Sequence, residues 1–167
     1  MRAVLAAMFA VFALSALAAD DGRSVYADVV PGRTFSFPAD HGAHLGFRTE
    51  WWYVTGFLDT ADGMTLGFQV TFFRTKPDVD SRNPSAFAPK QILFAHAALS
   101  DPSLKSLRHD GRIARTGFGL ASVSENDTDI VLDDWSIQRN SDGRFRTKIA
   151  AKDFAFDFAF EIGRAHV

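Results

Sequence analysis

No cysteine occurs among the 167 residues. A disulfide framework, a thiol nucleophile and a thiolate metal site are thereby excluded, and stability must come from packing. A surplus of charge is also missing: 18 Lys and Arg against 20 Asp and Glu leave a formal charge of -2. That balance favours neither nucleic acid nor an anionic membrane surface as partner. The Gly-x-Ser-x-Gly elbow of serine hydrolases is absent, since Ser100, Ser122 and Ser124 stand in turn or strand contexts without it. No repeat of solenoid period is visible, and beyond the N-terminus no long stretch keeps a helical period. Only one long apolar run exists, Ala3 to Leu14, between the basic start Met1-Arg2 and the small-x-small site Ala16-Leu17-Ala18. Residues 1–18 therefore read as a secretory signal peptide, with cleavage near Ala18 and a periplasmic or secreted product. An uncleaved N-terminal anchor is the alternative, disfavoured because the run is short for a membrane span.

What the chain holds in quantity is phenylalanine, 17 residues, scattered with Val, Ile and Thr in short runs broken by Gly, Asp, Asn and Pro. The pattern predicts an all-β fold, with antiparallel strands at roughly ten-residue spacing forming a sandwich or barrel around about one core. Val25, Val29, Val30, Phe35 and Phe37 predict a short lead-in strand. Strands are predicted over Glu50 to Leu58 and Met64 to Arg74, joined by a turn at Asp62-Gly63, and over Gln91 to Leu99, where both faces read as buried. Lys76 to Lys90, with Pro77, Pro84 and Pro89, reads as a long polar loop. The basic segment Lys105 to Arg115 reads as solvated loop with a helical turn. Weaker strands follow at Gly119 to Val123, Ile130 to Ile137 and Phe145 to Ala150. The strict alternation Phe154, Phe156, Phe158, Phe160 marks a last strand buried on one side.

Chemistry concentrates in Pro38 to Phe57, where Arg48 and Glu50 abut Trp51, Trp52 and Tyr53. In a strand Glu50 and Trp52 share one face, Trp51 and Tyr53 the other. A carboxylate desolvated among aromatics is a candidate general acid, and an indole face tolerates a developing cation. Glu50 and His96 are the candidate catalytic residues. Trp51, Trp52, Tyr53, Gln69, Thr71 and Arg74 are the candidate ligand-binding residues, with Gln69, Thr71 or His96 available to hold a water. The competing role for Glu50 is an ion pair with Arg48 or Arg74, and for the aromatics core packing. His41, His44, His96 and Glu50 could assemble a nitrogen/oxygen metal site, but a His-Gly-Ala-His loop more often bonds backbone or solvent, so no metal and no cofactor are assigned.

Five blocks in order, Pro38-Ala39-Asp40-His41-Gly42-Ala43-His44, Thr49 to Gly56, Gly67 to Arg74, Phe94 to Asp101 and Asp134-Trp135, resemble the carotenoid 1,2-hydratase-like (CrtC/AttH) family. The resemblance implies a lipocalin-like domain over residues 30–160, the N-terminal one of two, preceded by a lead-in at 19–29 and lacking its C-terminal lipocalin-like partner. It implies an exported protein that binds a hydrophobic small molecule and adds water to an isoprenoid-like double bond or performs a related hydrolysis. A non-enzymatic periplasmic carrier serving ABC transporter components is the other reading. The ending Ile162-Gly163-Arg164-Ala165-His166-Val167 reads like a translated sequencing adapter, making 161–167 a non-native tail and the chain a fragment.

Overall fold

A computed structural model describes residues 24–80 and 82–162. The signal-peptide reading of residues 1–18, the start of the lead-in and residues 163–167 of the tail lie outside these.

Two antiparallel meanders make up the described fold. The first sheet runs in the order β1 (Thr49–Asp59), β2 (Thr65–Thr75), β3 (Ile92–Asp101), β4 (Ser106–Arg115). The second runs β5 (Ala121–Val123), β6 (Asp129–Leu132), β7 (Trp135–Arg139), β8 (Phe145–Ala150), β9 (Ala155–Phe160). Every strand pairs with its sequence neighbour, which short turns permit and which needs no crossover. Phe68, Val70, Phe72, Leu93, Ala95, Ala97 and Leu99 of the first sheet pack on Ile130, Leu132, Trp135, Ile137, Ile149 and Phe156 of the second. The all-β, two-sheet architecture is thus as read, and among the described residues the sheets remain separate, with β1 and β9 as unpaired edges on one side.

Period-two alternation decides most of this. On β9, Phe156, Phe158 and Phe160 turn inward, and the Phe68 ring meets Phe158 at 4.9 Å and Phe156 at 6.0 Å between centroids. Gly63, at φ 84, makes the turn between β1 and β2 in a conformation that L side chains rarely adopt. Trp135, fully buried, donates its indole N–H to the Ala150 carbonyl at 2.9 Å, so the largest core side chain carries no unmet polar atom.

Four expectations are corrected. Residues 24–37 form no strand; their structure is turn and extended loop. Lys105 to Arg115 is not loop: β4 occupies Ser106–Arg115, paired along its whole length with β3. Its polarity is inverted, with Leu107 and Ile113 exposed while Arg108, Asp110 and Arg112 are half-buried. Arg112 bonds Asp110 at 2.9 Å and the Ala150 carbonyl at 3.0 Å, and sits 4.8 Å from the centre of the Trp135 ring. Ile130 to Ile137 is two strands, since Asp133 at φ 57 reverses the chain between β6 and β7. Finally, β3 is buried on one face only: Leu93, Ala95, Ala97 and Leu99 point inward, whereas His96 is exposed.

Candidate functional site

The site is built where Pro38 to Arg48 folds back over the start of β1. A short 3-10 helix, Ala39–His41, opens this loop, and Gly42 follows it. A Cβ at Gly42 would lie 2.6 Å from the Glu125 carbonyl carbon and oxygen, so only glycine lets the loop press on the turn preceding β6. The contact is fixed by two bonds: Ala43 N–H donates to Ser124 O at 2.8 Å, and Thr128 Oγ1 donates to His41 O at 2.8 Å. The same His41 carbonyl accepts the Trp52 indole N–H at 2.9 Å. One carbonyl therefore ties loop, first sheet and second sheet together.

Glu50 and Arg74 are direct cross-strand partners on β1 and β2 with both side chains directed inward, which is why they meet. Arg74 is fully buried. Its Nε donates to Glu50 Oε2 at 2.7 Å, Nη1 to Gln91 Oε1 at 2.7 Å, and Nη2 to the carbonyls of Phe47 at 2.9 Å and His44 at 3.1 Å. Glu50 also accepts the His44 backbone N–H at 2.8 and 2.9 Å. The His44 ring continues the chain: Nδ1 lies 2.7 Å from Glu50 Oε1 and Nε2 lies 2.8 Å from Asp40 Oδ1. Asp40 is further held by the Ser36 backbone N–H and by Arg33. The Ser36 N–H, then the His44 side chain, hold the Asp40 carboxyl below the usual carboxylate range.

A carboxylate can only accept hydrogen bonds, and a neutral imidazole has one donor. An imidazole with both nitrogens against carboxylates donates to both only as the imidazolium, and to one of them as the neutral ring. Asp40, His44 and Glu50 together form one continuous hydrogen-bonded chain.

This chain forms the polar end of a cavity of about 340 Å3, walled otherwise by His41, Trp52, Ile137, Phe145, Phe160 and Ile162. It opens beside β1 and β9, with Trp51 and Tyr53 at its rim, 59% and 63% exposed. Its volume falls in the range of about 300–1,000 Å3 usual for small-molecule sites.

Of the residues singled out in the sequence, Glu50, Arg74 and Trp52 come together here. Trp51 and Tyr53 stand on the opposite face of β1 from Glu50. His96, Gln69 and Thr71 lie on that outer face too: Gln69 Nε2 donates to Thr71 Oγ1 at 3.2 Å, and Gln69 and His96 share a shallow depression with His109. Glu50 and His96 thus do not form one catalytic pair, and the four-residue metal set is not assembled. Among the described residues no group of His, Asp or Glu is placed to hold a metal ion. Asp40 and His44 complete the chain with Glu50, and Gln91 holds Arg74 from behind it. The His-Gly-Ala-His loop was their visible signal; Gln91, at the start of a strand, gave none.

Comparison with known proteins shows the family. The family model described as AttH-like matches residues 28–167. A 2.00 Å crystal structure of a protein from Nitrosomonas europaea, provisionally assigned as AttH, is 53% identical over 80% of this chain, with a TM-score of 0.69. The present chain spans 39% of the length of that one. No curated protein matches. On the family match and on this identity, the chain belongs to the AttH-like family.

Proposed function

We propose that this chain is part of an exported AttH-like protein that binds a hydrophobic small molecule between the two sheets and presents it to the Asp40–His44–Glu50 chain. The cavity carries the reading: an aromatic and aliphatic wall ends in the hydrogen-bonded run of Asp40, His44 and Glu50, two carboxyls joined through an imidazole. Addition of water to an isoprenoid-like double bond needs a proton donor beside an apolar pocket, and Trp52 supplies an indole on the same face as Glu50. The addition balances without a co-reactant: the alkene gains a proton at one carbon and hydroxide from water at the other, and the acid is restored by the proton that water releases.

A second reading, a carrier without chemistry that serves a transporter, is favoured by one observation. Every carboxylate oxygen of Glu50 is already engaged by Arg74 or His44. Titrating the purified protein with the sesquiterpene alcohol farnesol, read by tryptophan fluorescence, tests binding. Incubation in heavy-oxygen water, read by product mass, tests turnover. Saturable quenching with labelled product supports the enzyme; quenching without product supports the carrier. Absence of saturable binding refutes both.

A further inference from the structure

We propose that His41 is the residue that recognises the ligand, by hydrogen bonding to an oxygen on an otherwise apolar molecule, so that the ligand class is a lipophilic alcohol or carbonyl compound rather than a pure hydrocarbon. The inference rests on the binding role given to the cavity and goes beyond it by naming the contact and the class.

Among the polar side chains on the inner wall of the cavity, leaving aside Trp51 and Tyr53 on the outward face at its rim, His41 differs in one respect. Asp40, His44 and Glu50 are occupied with one another, with Ser36 and with Arg33 and Arg74. The Trp52 N–H is given to His41 O, and Thr128 Oγ1 donates to the same carbonyl. The His41 ring nitrogens, in contrast, have no hydrogen-bond partner among the described residues, and they are not sealed from solvent.

The ring is nevertheless fixed. Phe37 covers it at 4.4 Å and the edge of Phe145 meets it at 5.5 Å, nearly perpendicular at 86°. Behind it the backbone is pinned three times, His41 N–H to Pro38 O at 2.8 Å and the two bonds received by its carbonyl. An imidazole clamped between aromatic rings and held from the rear has little rotamer freedom left to lose on binding. It is also a donor and an acceptor at once when neutral, so it can serve a hydroxyl or a carbonyl oxygen. His41 lines both the cavity and the adjoining groove of Phe37, Arg139 and Phe145, which puts it at the passage between them.

The test compares farnesol with its hydrocarbon counterpart farnesene on the wild-type chain and on His41→Phe, by tryptophan fluorescence. Phenylalanine keeps the stacking with Phe37 and Phe145 and removes only the nitrogens. One net hydrogen bond predicts that the ratio of the two affinities is larger in the wild type than in the variant by roughly three- to tenfold. Farnesene affinity should be the same in both. His41→Gln, which returns a donor and an acceptor, should recover part of the preference. On adding farnesol at constant pH, the His41 ring protons should shift in an NMR spectrum of the wild type. An equal affinity ratio in the wild type and His41→Phe overturns the inference while leaving the binding role standing. Failure of both compounds to bind the wild type removes the binding role and this inference with it.

Discussion

Arg74 shows what one buried charge demands. Its guanidinium is fully buried and spends its donors on Glu50, Gln91 and two carbonyls. Burying an ion is costly, and leaving it without its counter-charge is costlier still. Glu50→Gln keeps the shape and removes the charge, so stability should fall by about 3–5 kcal/mol, read as a lower urea midpoint in tryptophan fluorescence. Arg74→Met should cost less, because Glu50 is partly exposed and keeps its bonds to His44. A Glu50→Gln midpoint equal to that of the wild type would show that the pair carries no such weight. At this scale the sequence was partly legible. Alternation put Glu50 and Trp52 on one face and an ion pair with Arg48 or Arg74 among the possibilities, whereas only register could choose Arg74. His44 was legible as a histidine with chemistry nearby, yet its two carboxylate partners depend on a loop conformation that no periodicity encodes.

Elements were read well where hydrophobicity follows the pleat and poorly where it does not. β1, β2, β8 and β9 alternate apolar inward, and their limits fall within a residue or two of expectation. β4 reverses the pattern: Arg112 leans inward over Trp135 and toward Asp134 while its isoleucine faces out, so charge counting read a strand as a loop. β6 and β7 were merged because Asp-Asp is a weaker turn signal than Asp-Gly, although aspartate tolerates the left-handed region that Asp133 adopts. The loop ahead of β1 is an element in its own right, and Gly42 is its contact point. The backbone there, φ -79 and ψ -172, suits any residue, so size alone matters. Gly42→Ala must push against the carbonyl of Glu125 and the amide of Asp127, both backbone. A loss of about 1–3 kcal/mol is expected, visible as a melting temperature several degrees lower. An unchanged melting point would mean that loop and turn separate freely.

For the whole molecule, the sandwich was legible from composition and spacing, and its open side beside β1 and β9 was not, because pairing between distant strands leaves no local mark. Charge acts at this scale too. Among the described residues five aspartates are held below the usual carboxyl range: Asp40 by the Ser36 N–H, Asp80 by Arg82, Asp101 by the Ser103 hydroxyl, Asp110 by Arg112 and Asp157 by Arg146. A carboxyl lowered in the folded state binds fewer protons there than in the unfolded chain. Its contribution is therefore complete above the unfolded value of about 3.9 and is lost as pH falls through the folded value. The urea midpoint should drop as pH falls below about 4; a midpoint that rises across that range would contradict the assignment. The His41 carbonyl, which joins three parts of the fold behind the cavity, has a practical corollary. Whatever lodges against that knot braces the inter-sheet seam itself, and occupancy a hundredfold above Kd is worth about 2.7 kcal/mol to the native state. Calorimetric ranking of a compound library would then sort genuine occupants from bystanders before anything about their chemistry is known.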